Sequence, residues 1–542
     1  MVNAFACLGG RIPRGADESN DPMGLSARIR IAAVACLAAA TLAGCAAAAS
    51  TASPGQGSGR APVVRTADGS VGGKAAGATA EYLGIPYAAP PVGALRWQPP
   101  HPVVSWHGIR QATSFAPHCA QWGASPTDVA STSEDCLYLN VFAPADASDR
   151  NRPVMVYIHG GSLETGESND YNPAAMVKDG AIVVTINYRL GALGFLADTA
   201  LAAAPGGPSG DYGLMDQQAA LRWVQHNIGG FGGDPHNVTL FGESAGGLSV
   251  LAQLTSPSAR GLFQRAIVES GTYDMTQPSL ASAESSGAAF AATVGCTENT
   301  AASTAACLRR LPVSAILVTE DTGGYYPNID SAVLPQSIGT ALATGQFSHV
   351  PVIIGTNHDE GRAFIGQDVP VTAASYVADI SSILSLPAST AAVVAKEYPL
   401  SSYSSPEIAL GAVDTDAIFA CPALVAEKDL SKYTPTYAYE FNDENAPDRS
   451  MPPLGFPYGA THTLELQYLF DLGNTGTLSG PQQQLAQAMK RDWTNFAKAG
   501  APASGWPRFT ASDQRALSLV PPRPQLETDY AAGHHCSFWS TV

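Results

Sequence analysis

The chain is short of charge, above all of positive charge. Charged residues make up 14% of its 542 residues, with 29 Lys and Arg against 46 Asp and Glu, a net charge of −17. A polyanion finds no electrostatic footing on such a surface, which excludes nucleic acid as a partner. No basic cluster and no Cys-x-x-Cys pair of zinc-ligand spacing occurs, so no metal and no other cofactor is expected. No repeat of fixed period is visible, and nothing after residue 60 reads as an interdomain linker. What is abundant is apolar residues, at 45%, which fits a packed globular body, and 53 Gly and 40 Pro, which fit many turns.

The apolar run Ile31 to Leu42 is too short to span a bilayer; behind Arg28 and Arg30 it reads as the core of a signal peptide. Leu42-Ala43-Gly44-Cys45 follows and resembles the lipobox of bacterial lipoproteins, in which the Cys carries the lipid; the alternative is cleavage among Ala46 to Ala49 and a free protein. Met23 suits this leader better as a start than Met1. The expected organisation is therefore a non-native extension over 1–22, a signal peptide over 23–44 with its lipobox ending at Cys45, a tether over 45–60 and one domain over 61–542. The location expected is extracytoplasmic, either secreted or touching the membrane only through a lipid at Cys45. Six Cys remain in the body: Cys119, Cys136, Cys296, Cys307, Cys421 and Cys536. An even number in an exported chain suggests disulfides, and the near neighbours Cys119/Cys136 and Cys296/Cys307 would close short loops. Cys421/Cys536 would tie down the carboxyl-terminal tail, although six Cys allow 15 pairings.

From Arg152 onward, apolar runs alternate with helical patterns. Strands are expected at Val154 to Ile158, Ala181 to Ile186, Val238 to Phe241, Val350 to Ile354 and Tyr437 to Phe441, and helices at Gln217 to Asn227 and Ala245 to Leu254. This alternation argues for a large, mostly parallel central sheet flanked by helices, with its active site beyond the carboxyl ends of the strands.

Gly242-Glu243-Ser244-Ala245-Gly246 stands between a strand and a helix and fits G-x-S-x-G. The small residues two before and two after the Ser permit a tight turn that lifts Ser244 above the sheet. Chain order Ser, acid, His then restricts the partners. Asp359 and Glu360 both follow the Val350 strand. His358 lies too close to either to be oriented by it, and His349 is at the wrong strand end. His462, His534 and His535 remain. His462, in the Gly- and Pro-rich loop after the Tyr437 strand, is preferred, while His534 and His535 are expected to cover the surface near the terminus. An oxyanion needs preorganised N–H donors. Ala245 follows the nucleophile, and His159-Gly160-Gly161 resembles a glycine loop that supplies such donors, through Gly160 and Gly161.

These residues together resemble the type-B carboxylesterases, which include cholinesterases and fungal lipases. The likeness runs from about residue 61 to the end. It includes Gly84-Ile85-Pro86-Tyr87-Ala88, Glu134-Asp135-Cys136-Leu137-Tyr138-Leu139-Asn140, Asn187-Tyr188-Arg189-Leu190-Gly191, Asp211-Tyr212-Gly213-Leu214-Met215-Asp216-Gln217 and Phe241 to Gly247. The resemblance implies an α/β-hydrolase fold and hydrolysis of carboxylic esters through an acyl-enzyme. It implies Glu360 as the acid, His462 as the base and all three disulfides, Cys421–Cys536 included, and marks Asp416 as a supporting polar residue. Small to medium apolar esters are the expected substrates. The alternatives are longer glycerides, or a binding protein that has lost catalysis, against which Ser244, Glu360 and His462 are all present. Activity should rise as pH passes about 6 to 7, where an ordinary imidazole becomes neutral. Ser162 and Leu163 depart from the family's small residue and Phe, which would widen the pocket. The stretch from Ser375 to Pro406 is individual to this chain and is expected to shape a lid or acyl pocket.

Overall fold

A computed structural model describes residues 60–542 apart from 124–128, 147–149, 203–208, 321–323, 330–332, 366–369, 449–450, 474–475 and 504. The extension, signal peptide, Cys45 and nearly all of the tether lie outside the described residues.

Thirteen strands form one sheet: β1 (Arg60–Arg65), β2 (Ser70–Ala76), β3 (Thr79–Pro86), β4 (Ile109–Gln111), β5 (Tyr138–Pro144), β6 (Arg152–Ile158), β7 (Ile182–Ile186), β8 (Gly233–Glu243), β9 (Arg265–Glu269), β10 (Val352–Asn357), β11 (Thr436–Phe441), β12 (Ala516–Leu519) and β13 (Gln525–Glu527). Their order is β1-β2-β3-β5-β7-β6-β8-β9-β10-β11-β12-β13, with β4 beside β2. From β7 to β12 every neighbouring pair is parallel, while the flanks β1-β2-β3-β5-β7 and β12-β13 are antiparallel.

The inner strands are buried on both faces, so both sets of alternating side chains are apolar. Val154, Val156 and Ile158 of β6 join one hydrophobic cluster with Leu221 and Val250 of the covering helices. Met155 and Tyr157 point the other way, into a cluster with Trp493 and Phe496 of the Gly480–Ala499 helix. A third cluster gathers Tyr376, Ile380, Val394, Tyr398, Leu410 and Val413, so the individual stretch folds as helices Tyr376–Ile383 and Ala388–Glu397 against the helix Pro406–Asp414. The helical run Pro406–Ser431 is long and apolar enough to cross a membrane, but 72% of its most apolar window is buried inside the protein.

Register brings the site together. Ile158 pairs with Gly242, Glu243 with Glu269, and Asn357 with Phe441, which levels the carboxyl ends of β6, β8, β10 and β11. After β6 the chain runs to β7 on one side and then to β8 on the other, so the connections diverge above β6, where α/β sheets open a crevice.

The expected strands and helices are present, with shifted ends. β10 continues through Thr356 and Asn357, polar residues that read as loop but are fully buried and paired with Glu440 and Phe441. The first expected helix starts at Tyr212, and the antiparallel flanks had no clear sequence signal. Cys119–Cys136, Cys296–Cys307 and Cys421–Cys536 are all bonded, closing separations of 17, 11 and 115 residues. In the chain-entropy account the last is worth most, roughly 4 to 5 kcal/mol. A Cys421→Ser/Cys536→Ser variant should lose about 2–5 kcal/mol of unfolding free energy in urea. An unchanged midpoint would mean that the tail is held by its packing alone.

Candidate active site

Ser244 occupies a left-handed turn, with φ 55° and ψ −121°, between β8 and the helix Ala245–Thr255. Such a conformation is strained for a residue with a side chain and persists only when its surroundings enforce it. Here they do. A Cβ on Gly246 would lie 2.0 Å from the Ile158 carbonyl oxygen, and one on Gly242 would lie 2.6 Å from the Gly246 backbone. The glycines therefore let β8, its following helix and β6 pass in contact. The Ser244 N–H donates to the Glu269 carbonyl at 2.8 Å, which locks the turn onto β9.

The Ser244 hydroxyl donates to His462 Nε2 at 2.8 Å, and His462 Nδ1–H donates to Glu360 Oε2 at 2.6 Å. Glu360 is fully buried at the start of a short 3₁₀ turn after β10, and its other oxygen accepts the Asn357 N–H at 2.8 Å. Thr461 Oγ1 reaches the Glu360 carbonyl and accepts from the Ala363 N–H, so the histidine loop and the acid turn are stitched together. Asp359, the other acid weighed, does a different job: it accepts the Ala460 N–H at 2.9 Å and pairs with Arg362. Phe364 and Phe419 lie 5.1 and 5.2 Å from the His462 ring and form a parallel pair beside it.

Gly160 abuts the nucleophile: a Cβ there would lie 3.1 Å from Ser244 Cβ. Among the described residues the N–H groups of Gly160, Gly161 and Ala245 have no protein acceptor, so three donors are available at one corner. His159 is no base. It is fully buried, burial pushes its imidazole down to about 4, and it stacks on Tyr188, whose hydroxyl donates to the His159 carbonyl. Leu163, expected to widen the pocket, does not do so. It is wholly buried and its carbonyl accepts from Gly191 N–H, so the side chain fills the core beneath the loop.

Two further expectations change. His534 does not cover the surface. It is 3% exposed and sits between Asp416 and Glu440, while His535, half-buried, bonds Glu397. Asp416 accepts from His534 and from the Tyr398 hydroxyl rather than touching the triad. Sequence reasoning missed the role of Glu243. Its Oε1 lies 3.3 Å from His462 Nε2, and burial pushes its carboxyl up. The signal was its place inside G-x-S-x-G, where register directs it under the same crevice. Glu465, held by Asn357 Nδ2, is also buried beside the triad and pushed up by burial and by Glu360.

Burial alone would pull the His462 imidazole down, but the carboxylates of Glu243 and Glu360 outweigh it and hold the group above 6.5. The arrangement can therefore take a proton from Ser244, keep the resulting imidazolium, and receive an oxyanion on three N–H groups.

The model of the Carboxylesterase family matches residues 60–539. The chain is 36% identical over 488 residues to a para-nitrobenzyl esterase of Bacillus subtilis (strain 168), covering 84% of this chain and 94% of that protein. It is 36% identical over 450 residues to a fumonisin B1 esterase of Sphingopyxis macrogoltabida, 79% of this chain and 81% of the relative. It is 32% identical over 521 residues to a mouse (Mus musculus) cholinesterase, 85% and 83% of the two chains.

A base must be neutral to act, so a raised His462 moves the rising limb of hydrolysis to higher pH than the 6 to 7 expected of an ordinary imidazole. Replacing Glu243 by Gln removes one of the three carboxyl groups that raise His462 and should bring the limb of kcat/KM back down. A limb that stays in place in Glu243→Gln would show that Glu243 carries no charge felt by His462.

Proposed function

Because the chain belongs to the carboxylesterase family and is a carboxylic-ester hydrolase, we propose that it works through Ser244, His462 and Glu360 on small to medium apolar esters. The observation that carries this reading is the unbroken Ser244–His462–Glu360 hydrogen-bond chain, at 2.8 and 2.6 Å, beside three N–H donors with no protein acceptor among the described residues.

His462 accepts the Ser244 proton as Oγ attacks the ester carbonyl. Glu360 holds Nδ1–H, fixes the tautomer and stabilises the imidazolium. The N–H groups of Gly160, Gly161 and Ala245 receive the oxyanion. His462 returns the proton to the leaving alcohol, then activates a water that cleaves the acyl-enzyme. The aromatic walls Phe364 and Phe419, with Tyr273 5.8 Å from Phe419, favour apolar acyl or alkoxy groups over charged ones. The relatives hydrolyse diverse esters by name, so the substrate follows from these walls rather than from any one of them.

The same reading includes export, with Cys45 as the lipid-bearing first residue of the mature chain. Three disulfides in the body support an oxidising compartment. Mass spectrometry of the mature amino terminus should find a lipidated Cys45; an unmodified terminus elsewhere would replace the anchor with free secretion.

Release of p-nitrophenol from acetate, butyrate, octanoate and palmitate esters tests the catalytic reading. Ser244→Ala should lower turnover by roughly 10⁵- to 10⁶-fold, and Glu360→Gln by about 10⁴-fold. Butyrate should be preferred to palmitate. A palmitate optimum would make the protein a lipase, and full activity in Ser244→Ala would end the triad assignment.

A further inference from the structure

A second histidine cluster lies next to the triad and takes no part in it. His358 turns away from the Ser244–His462 pair, and its Nδ1–H donates to Glu440 Oε1 at 3.0 Å. His534 Nε2–H donates to the same oxygen at 2.5 Å, and the two imidazole rings stand 5.3 Å apart. One nitrogen from each histidine and one Glu440 oxygen all lie within 4.8 Å of one another. Glu440 and His534 are buried, whereas the His358 side chain is 39% exposed and opens the cluster to solvent.

We infer that His358, Glu440 and His534 form a binding site for a divalent transition cation, Zn²⁺ fitting best. Two imidazoles and carboxylate oxygen suit zinc and its neighbours, whereas Mg²⁺ and Ca²⁺ prefer oxygen alone. The outer contacts suit a metal too. Asp416 Oδ1 accepts His534 Nδ1–H at 2.6 Å, which leaves Nε2 as the ligand atom, and Asn442 Nδ2 donates to the second Glu440 oxygen at 2.9 Å. A carboxylate behind a ligating histidine in this way orients the ring and raises its basicity.

His534 is held from both sides, by Asp416 and by Glu440, and the Tyr530 ring packs 4.7 Å from it.

The bound cation would join the turn before Glu360, the end of β11 and the disulfide-tied tail. The test is calorimetric titration of the EDTA-treated full-length protein with ZnCl₂ at pH 7. One Zn²⁺ per chain is expected, with no response to MgCl₂. His358→Ala should weaken binding by roughly 10- to 100-fold while leaving zinc-free ester hydrolysis in place, and Glu440→Gln provides a second variant if the first does not fold. No binding at about 1 mM zinc and pH 7 would overturn the site. So would wild-type affinity in both variants, which would put zinc elsewhere, as at His462 and Glu243.

Discussion

The structure depends on a close passage of backbone over backbone. Gly246 and Gly242 lie against the Ile158 carbonyl, so β8 can turn at Ser244 with φ 55° and enter its helix without retreating from β6. A strained turn of this kind costs on the order of 1–3 kcal/mol and has to be held from outside. It is held by the β6–β8 register, by the Ser244 N–H bond to Glu269, and by burial of the whole helix behind it. The return is geometric. One turn presents Oγ to the His462 loop and the Ala245 N–H to the glycine loop after β6.

Around that turn the protein concentrates buried carboxyl groups. Glu243, Glu269, Glu360, Glu465 and Asp414 are nearly or wholly removed from water, and His462 is the imidazole placed among them. Burial favours the neutral acid, and it pushes up Glu243, Glu269, Glu465 and Asp414. Glu360 accepts direct hydrogen bonds from both Asn357 N–H and His462 Nδ1–H. In the mechanism proposed above, the imidazolium formed during attack on an ester would face Glu360 in a site where little water screens their attraction.

Much of this was legible in the sequence, for local reasons. The glycines around Ser244, the glycine loop after Ile158 and the acid and histidine loops are each short segments whose chemistry is carried by their own residues. The parallel strands were visible because burial on both faces leaves continuous apolar runs such as Val154–Ile158. What escaped was set by distant contacts. Asn357 reads as loop yet sits in a fully buried strand, and Glu440, inside an expected strand, is buried although it is charged. His534 sits two residues before Cys536, in a tail that reads as surface. Only the approach of Asp416 and Glu440, from helix and sheet over 90 residues away in sequence, makes it a buried ion. Leu163 shows the same limit, since its side-chain volume was readable but its direction was not.

The most direct test of the account is covalent trapping of the nucleophile. The protein would be inactivated with a p-nitrophenyl alkylphosphonate and the modified peptide mapped by mass spectrometry. One adduct per chain on Ser244, formed in step with loss of esterase activity and greatly slowed by His462→Ala, is the expected result. Full activity after stoichiometric modification of Ser244, or inactivation with the adduct on another residue, would contradict it.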